Sequence, residues 1–192
     1  MAYELIAIGA SWGGLHAVGE VLAGLPRDFG PAIVVAQHRS RDSVKGMLTD
    51  ALGRRTQMPV CEAGDKDPIE PGRVHLAPPD YHMLVEDGHF ELSLDPPVSH
   101  SRPSIDVLFE SVADSYAERA IGVLLTGASA DGAAGLLRLR ESGGLTIVQD
   151  PEEAERSEMP AAALEAGAAE QVCPLASVAP FLLDACGAGR SA

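Results

Sequence analysis

Three residue types that together perform acyl transfer stand at comparable places in this chain: a serine, a histidine and an aspartate, each just after a short apolar run. Ser11 follows residues 5–9 within Ile8-Gly9-Ala10-Ser11-Trp12-Gly13-Gly14, and His38 follows the run at 32–37 (AIVVAQ). Asp131 lies in Thr126-Gly127-Ala128-Ser129-Ala130-Asp131-Gly132, just beyond the run at 121–126 (IGVLLT). A serine hydroxyl is a weak nucleophile until an imidazole takes its proton, and the imidazole needs a carboxylate to fix its tautomer. Ser11 is therefore the candidate nucleophile, His38 the base and Asp131 the orienting acid.

Each assignment has a plainer competitor. Gly9 to Gly13 matches the G-x-S-x-G elbow, but the order Ser, His, Asp differs from the Ser, acid, His order of α/β-hydrolases. Gly9, Gly13 and Gly14 could instead cradle a phosphate at a helix N-terminus, as in dinucleotide-binding folds. Against that stand Ser11 at the middle glycine position and Gln37-His38 where an acidic residue would meet a ribose. His38 could be a capping or interfacial histidine, and Asp131 a turn residue capping the helix after it. His16, His75, His82, His89 and His100 lack metal-ligand spacing and are read as structural.

These residues need elements to hold them. Apolar residues at helical spacing over 15–25, ended by Pro26, make the first unit strand, turn, helix. The run at 32–37 and a helix over about 43–52 repeat it. Pro68, Pro71, Gly72, Pro78 and Pro79 punctuate a β-rich stretch from 60 to 94, and Asp87-Gly88 predicts a hairpin flap around residues 82–94. Ser104 is a good N-cap for a helix over 105–116, with Asp106 in its first turn. Further helices are expected near 133–141, 161–166 and 178–186, with strands at 121–126 and 145–149. Alternating strands and helices predict a doubly wound α/β fold: a mostly parallel sheet with helices on both faces. One domain over residues 1–186 is expected, with a frayed tail at 187–192.

Composition narrows the function. With 28 acidic and 14 basic residues the formal charge is −14, which repels phosphate backbones and anionic bilayers, so neither nucleic acid nor direct membrane insertion is expected. The basic cluster Arg39, Arg41, Lys45, Arg54 and Arg55 is read as a solvated face. Three cysteines, Cys61, Cys173 and Cys186, form no metal or disulfide pattern and suit a reducing compartment. The beginning of the chain lacks the features of a signal peptide, so a cytoplasmic location is expected.

Taken together, several segments resemble the catalytic domain of the chemotaxis protein-glutamate methylesterases, the CheB family. They are Ile8 to Gly14, Val35-Ala36-Gln37-His38, Leu76-Ala77-Pro78-Pro79-Asp80-Tyr81-His82-Met83, Arg102-Pro103-Ser104-Ile105-Asp106-Val107-Leu108-Phe109, Leu125-Thr126-Gly127, Asp131-Gly132-Ala133-Ala134-Gly135 and Met159-Pro160. The resemblance implies a serine hydrolase that demethylates glutamate methyl esters on the cytoplasmic helices of chemoreceptors, releases methanol and in some members deamidates glutamine. It implies neither a metal nor an organic cofactor. Ser11, His38 and Asp131 match the family's nucleophile, base and acid, and the backbone N–H groups of Trp12 and Ala128 match its oxyanion donors.

Two positions depart from the family pattern. Trp12 replaces a threonine and could crowd or floor the site, while Ala128 removes a long methionine from its wall. The usual phosphorylatable receiver domain is not present ahead of the first strand, which leaves no phosphorylation control in cis as the expectation. A catalytically weak binding or signalling module of the same fold is the alternative to an enzyme. The oligomeric state stays open.

Overall fold

The computed structural model describes residues 3–44 and 46–187. Its main sheet has seven strands: β1 (Leu5–Ala10), β2 (Ala32–Gln37), β3 (Val60–Glu62), β4 (Val74–Leu76), β7 (Ala120–Leu124), β8 (Leu145–Gln149) and β9 (Gln171–Cys173). They are arranged in the order β3-β4-β2-β1-β7-β8-β9, and every pairing is parallel. The antiparallel hairpin β5 (His82–Val85) and β6 (Phe90–Ser93) stands apart, turning at Gly88 with φ of 80°. Six α-helices and a short 3-10 helix (Ala117–Arg119) complete the described residues: α1 (Gly14–Ala23), α2 (Met47–Gly53), α3 (Ile105–Ser115), α4 (Ala133–Glu141), α5 (Glu158–Glu165) and α6 (Leu175–Ala185).

The central strands read as unbroken apolar runs because both faces of the sheet are covered. Leu5 and Ala7 of β1, with Ala32, Val34 and Ala36 of β2, pack against Leu108, Phe109 and Val112 of α3, Leu136 of α4, Met159 of α5 and Phe90 of the hairpin. The alternate residues Ile6, Ile8, Ile33 and Val35 meet Val18, Val21 and Leu22 of α1, Leu52 of α2 and Val178 and Leu182 of α6. Helices α3 and α4 cross closely because Gly135 has no side chain: a Cβ there would lie 2.5 Å from the Asp106 carbonyl oxygen. Both helices start at the candidate site, so this close crossing brings their first turns together there.

The expected architecture is present, with local differences. The helix expected from 43 begins at Met47, behind Gly46 in the left-handed region at φ of 82°. Val60–Glu62 and Val74–Leu76 extend the parallel sheet, leaving only the hairpin as a flap. The segment 175–177 joins α6 ahead of the expected start. Arg39 is no part of a solvated face: it is half-buried, with its side chain paired with Glu62 at 3.0 Å and donating to the Ala77 carbonyl. Lys45 and, apart from Gly187, the tail at 187–192 lie outside the described residues.

Candidate active site

The chain leaves β1 for β2 on one side and later returns as β7 on the other, so β1 is the switch point at whose carboxyl end an open α/β sheet offers a crevice. Ser11, His38 and the turn that carries Asp131 all lie at this end. Ser11 follows the last residue of β1, and its N–H donates to the Thr126 carbonyl (3.0 Å) across the gap to β7. Its carbonyl accepts from Gly14 N–H (2.9 Å) and from Gln37 Nε2 (2.7 Å). Gly13 makes the turn into α1 with φ of 77°. A Cβ on Gly14 would stand 2.1 Å from Gln37 Oε1, so glycine is what lets this carboxamide reach the turn. The Ser11 backbone is thus held from three sides, while its hydroxyl has no hydrogen-bond partner among the described residues.

His38 is tied to the same strand end by its N–H, which donates to the Ala10 carbonyl at 2.9 Å. Its Nε2 lies 2.6 Å from Asp131 Oδ2. Asp131 is fully buried and accepts three more hydrogen bonds: Ser104 Oγ (2.8 Å) and Asp106 N–H (3.1 Å) on Oδ1, and Ile105 N–H (2.7 Å) on Oδ2. Two of these donors are the first N–H groups of α3, where the helix dipole also favours an anion. Asp131 therefore does cap a helix, but α3 and not the one that comes after it. The favour is returned: Asp106 Oδ1 accepts from Gly132 N–H and Gly135 N–H, each 2.8 Å, at the start of α4.

This cross-capping separates the two acids electrically. Burial pushes the Asp131 carboxyl upward, but the hydrogen bonds from His38, Ile105, Asp106 and Ser104 outweigh it and hold the group below its ordinary range. Burial raises Asp106 to about 6, opposed by Gly135 N–H and reinforced by the Asp131 charge. Asp131 is consequently the anion at neutral pH. An anionic acceptor fixes the proton on His38 Nε2 and leaves the lone pair on Nδ1. At 3.3 Å from Nδ1 lies Ser101 Oγ, a residue the sequence does not single out.

Trp12 N–H and Ala128 N–H have no protein acceptor among the described residues, which leaves both open to a ligand oxygen. Gly127 N–H between the two turns is already engaged by the Arg156 carbonyl (3.1 Å). Thr126 Oγ1 braces the turns together, donating to the Trp12 carbonyl (3.0 Å) and accepting from Arg156 N–H (2.9 Å). The Trp12 ring is 59% exposed, so it is no buried floor. Its Nε1 donates to Glu155 Oε1 at 2.9 Å, and the Arg156 guanidinium stands 5.4 Å from its centroid.

An open cleft of about 360 Å³ runs along the His38 side, lined among others by Arg41, His100, Ser101 and Arg102. A larger hollow of about 540 Å³ involves Tyr3, Gly30 and Tyr116, at the amino-terminal end of the strands and away from these groups. Among the described residues no group of three or more His, Cys, Asp or Glu side chains could hold a metal, and no helix is long and apolar enough to cross a membrane.

A buried aspartate bonded to the histidine beside a glycine-turned serine is a hydrolase arrangement, and its lineage is readable from the sequence as well. Residues 6–182 match the family described as CheB methylesterase. The chain belongs to that family. A Leptospira interrogans protein, provisionally named protein-glutamate methylesterase/protein-glutamine glutaminase, is 44% identical over 184 residues, 95% of each chain. The Hahella chejuensis protein-glutamate methylesterase/protein-glutamine glutaminase 1 is 46% identical over 180 residues, 92% of this chain and 49% of its own length. This chain thus spans about half of that second relative. The crystal structure of the Thermotoga maritima CheB methylesterase catalytic domain superposes with a TM-score of 0.89 at 30% identity, covering 96% of this chain and 99% of that one.

Proposed function

We propose that this CheB-family chain is a serine esterase that hydrolyses glutamate γ-methyl esters on the cytoplasmic helices of chemoreceptors, with glutamine deamidation as a second activity. The observation that carries the site is the 2.6 Å bond between His38 Nε2 and a fully buried Asp131. It supports a base whose proton-accepting atom is Nδ1. Ser11 Oγ attacks the ester carbonyl as its proton passes to Nδ1, and the carbonyl oxygen becomes an oxyanion held by Trp12 N–H and Ala128 N–H. Collapse of the tetrahedral adduct breaks the C–OMe bond, and the imidazolium gives its proton to the departing methoxide, releasing methanol.

A water then gives a proton to Nδ1 and attacks the Ser11 acyl ester, and the second collapse returns the proton to Ser11 Oγ and frees the glutamate carboxyl. With glutamine the leaving group is ammonia and the rest is the same. Location in the cytoplasm follows from this substrate. Methanol release from methylated receptor fragments, together with mass-spectrometric labelling of Ser11 by a fluorophosphonate, tests the proposal; Ser11→Ala releasing methanol at the wild-type rate would sink it. The Ser101 contact at Nδ1 is the one observation that favours a slow or binding-only module, and the same assay decides between the two.

A further inference from the structure

Ser101 presents its hydroxyl to the atom that the proposed reaction needs free. It closes a two-residue turn in which Ser101 N–H donates to the Val98 carbonyl (2.9 Å) and Val98 N–H to the Ser101 carbonyl (3.2 Å). The turn residues Ser99 and His100 both have left-handed backbones, with φ of 49° and 63°. Left-handed geometry at two successive non-glycine residues is strained, and such strain persists only where neighbouring contacts hold it. Residues 95–100 are exposed.

The strap is fastened at its base. Arg102 donates to the carbonyls of Leu94 (2.8 Å) and Asp95 (3.0 Å) and pairs with Asp80 Oδ1 at 2.6 Å. These bonds, together with the 3.2 Å contact between His82 Nε2 and the Pro96 carbonyl, hold both ends of the strap, and its exposed tip at residues 97–100 lies between them beside His38. The contact between Ser101 Oγ and Nδ1 joins the far end of that tip to the catalytic machinery.

We propose that Ser101 is a latch on the base: in the empty enzyme its hydroxyl donates to His38 Nδ1, and a docking protein substrate pushes the strap aside and releases that nitrogen to Ser11. The inference rests on Ser11 and His38 acting as nucleophile and base. A neutral imidazole whose Nε2–H is bonded to Asp131 has one in-plane lone pair, and a lone pair engaged by Ser101 is not open to the Ser11 proton. A small ester has no surface with which to move the strap, whereas a helical protein substrate spans the cleft beside it. The latch therefore suppresses idle hydrolysis of small esters and reserves the base for protein-borne ones. Ser101 acts through His38 and is a positioning residue.

The test uses the full chain and a small fluorophosphonate, with the modified serine located by peptide mass spectrometry. Ser101→Ala is expected to label at Ser11 about three- to tenfold faster than wild type, the size of one net hydrogen bond. Ser101→Thr, which keeps the hydroxyl, is expected to label at the wild-type rate. On a methylated receptor fragment, Ser101→Ala is expected to lower KM by a larger factor than it changes kcat, because the latch opposes docking. Equal or slower labelling of Ser101→Ala overturns the latch and leaves the esterase reading standing. Labelling of Ser101 in place of Ser11 in the wild type overturns both.

Discussion

The turn after β1 and the turn after β7 face each other across the site and are built on opposite principles. Asp131 is buried, charged and saturated: His38, Ser104 and two helix N–H groups occupy its oxygens. Ser11 has a backbone held by Thr126, Gly14 and Gln37, yet its hydroxyl has no partner among the described residues. The proposed acid is fixed before any ligand arrives, and the proposed nucleophile is positioned but uncommitted. Stability and chemistry are thus merged in one turn and separated in the other.

The sharpest way to break this contrast is to compare losses of activity with losses of stability. Ser11→Ala and His38→Ala are expected to reduce methanol release by roughly a thousandfold or more, with Ser11→Ala shifting stability by no more than about 0.5 kcal/mol. Asp131→Asn is expected to match that loss in kcat, roughly a thousandfold, and in addition to lower stability by about 1–3 kcal/mol as the α3 N–H groups lose a charged acceptor. Denaturant titration alongside the assay checks both, and an Asp131→Asn protein of native stability would dissolve the distinction.

Smaller effects refine it. Ser104→Ala removes one donor to Asp131 and the side-chain cap that accepts from Val107 N–H; it is expected to cost about 1 kcal/mol and about tenfold in kcat. The two acids should respond oppositely to pH. Asp131 stabilises the fold at neutral pH, and that contribution disappears as pH falls through its lowered folded value. Asp106 is raised to about 6, above the roughly 3.9 of an unfolded aspartate, so its charge costs stability at high pH and acidification relieves the cost. Asp106→Asn is therefore expected to raise Tm by about 2–4 °C at pH 8, with the advantage shrinking through pH 6 toward pH 4 in thermal melts.

That the three candidate residues meet at one edge was legible because each follows an apolar run long enough to read as a buried strand, and parallel strands deliver the residues at their carboxyl ends to one edge. The contacts that hold those residues were less legible. Ser104 reads as an N-cap for α3, but nothing local tells that its hydroxyl also donates to Asp131, which is 27 residues further on. The capping of α3 by Asp131 is a tertiary match between two helix starts, made possible by the close crossing at Gly135, and spacing along the chain does not encode it. Strands β3 and β9 are three residues long, too short to carry a period. Arg39 sits in a run of cations that looks solvated until the fold brings Glu62 beside it.

His38 and Asp131 are 93 residues apart in the chain and 2.6 Å apart in space. During synthesis Ser11 and His38 emerge early, while Asp131 emerges roughly 5–20 s after His38 at ordinary ribosomal rates. Until β7 pairs with β1, the imidazole has no carboxylate to set its tautomer, and α3 keeps only its local Ser104 cap without the charged acceptor at its first N–H groups. The proposed triad is therefore completed only when the last strand to reach the centre of the sheet is in place.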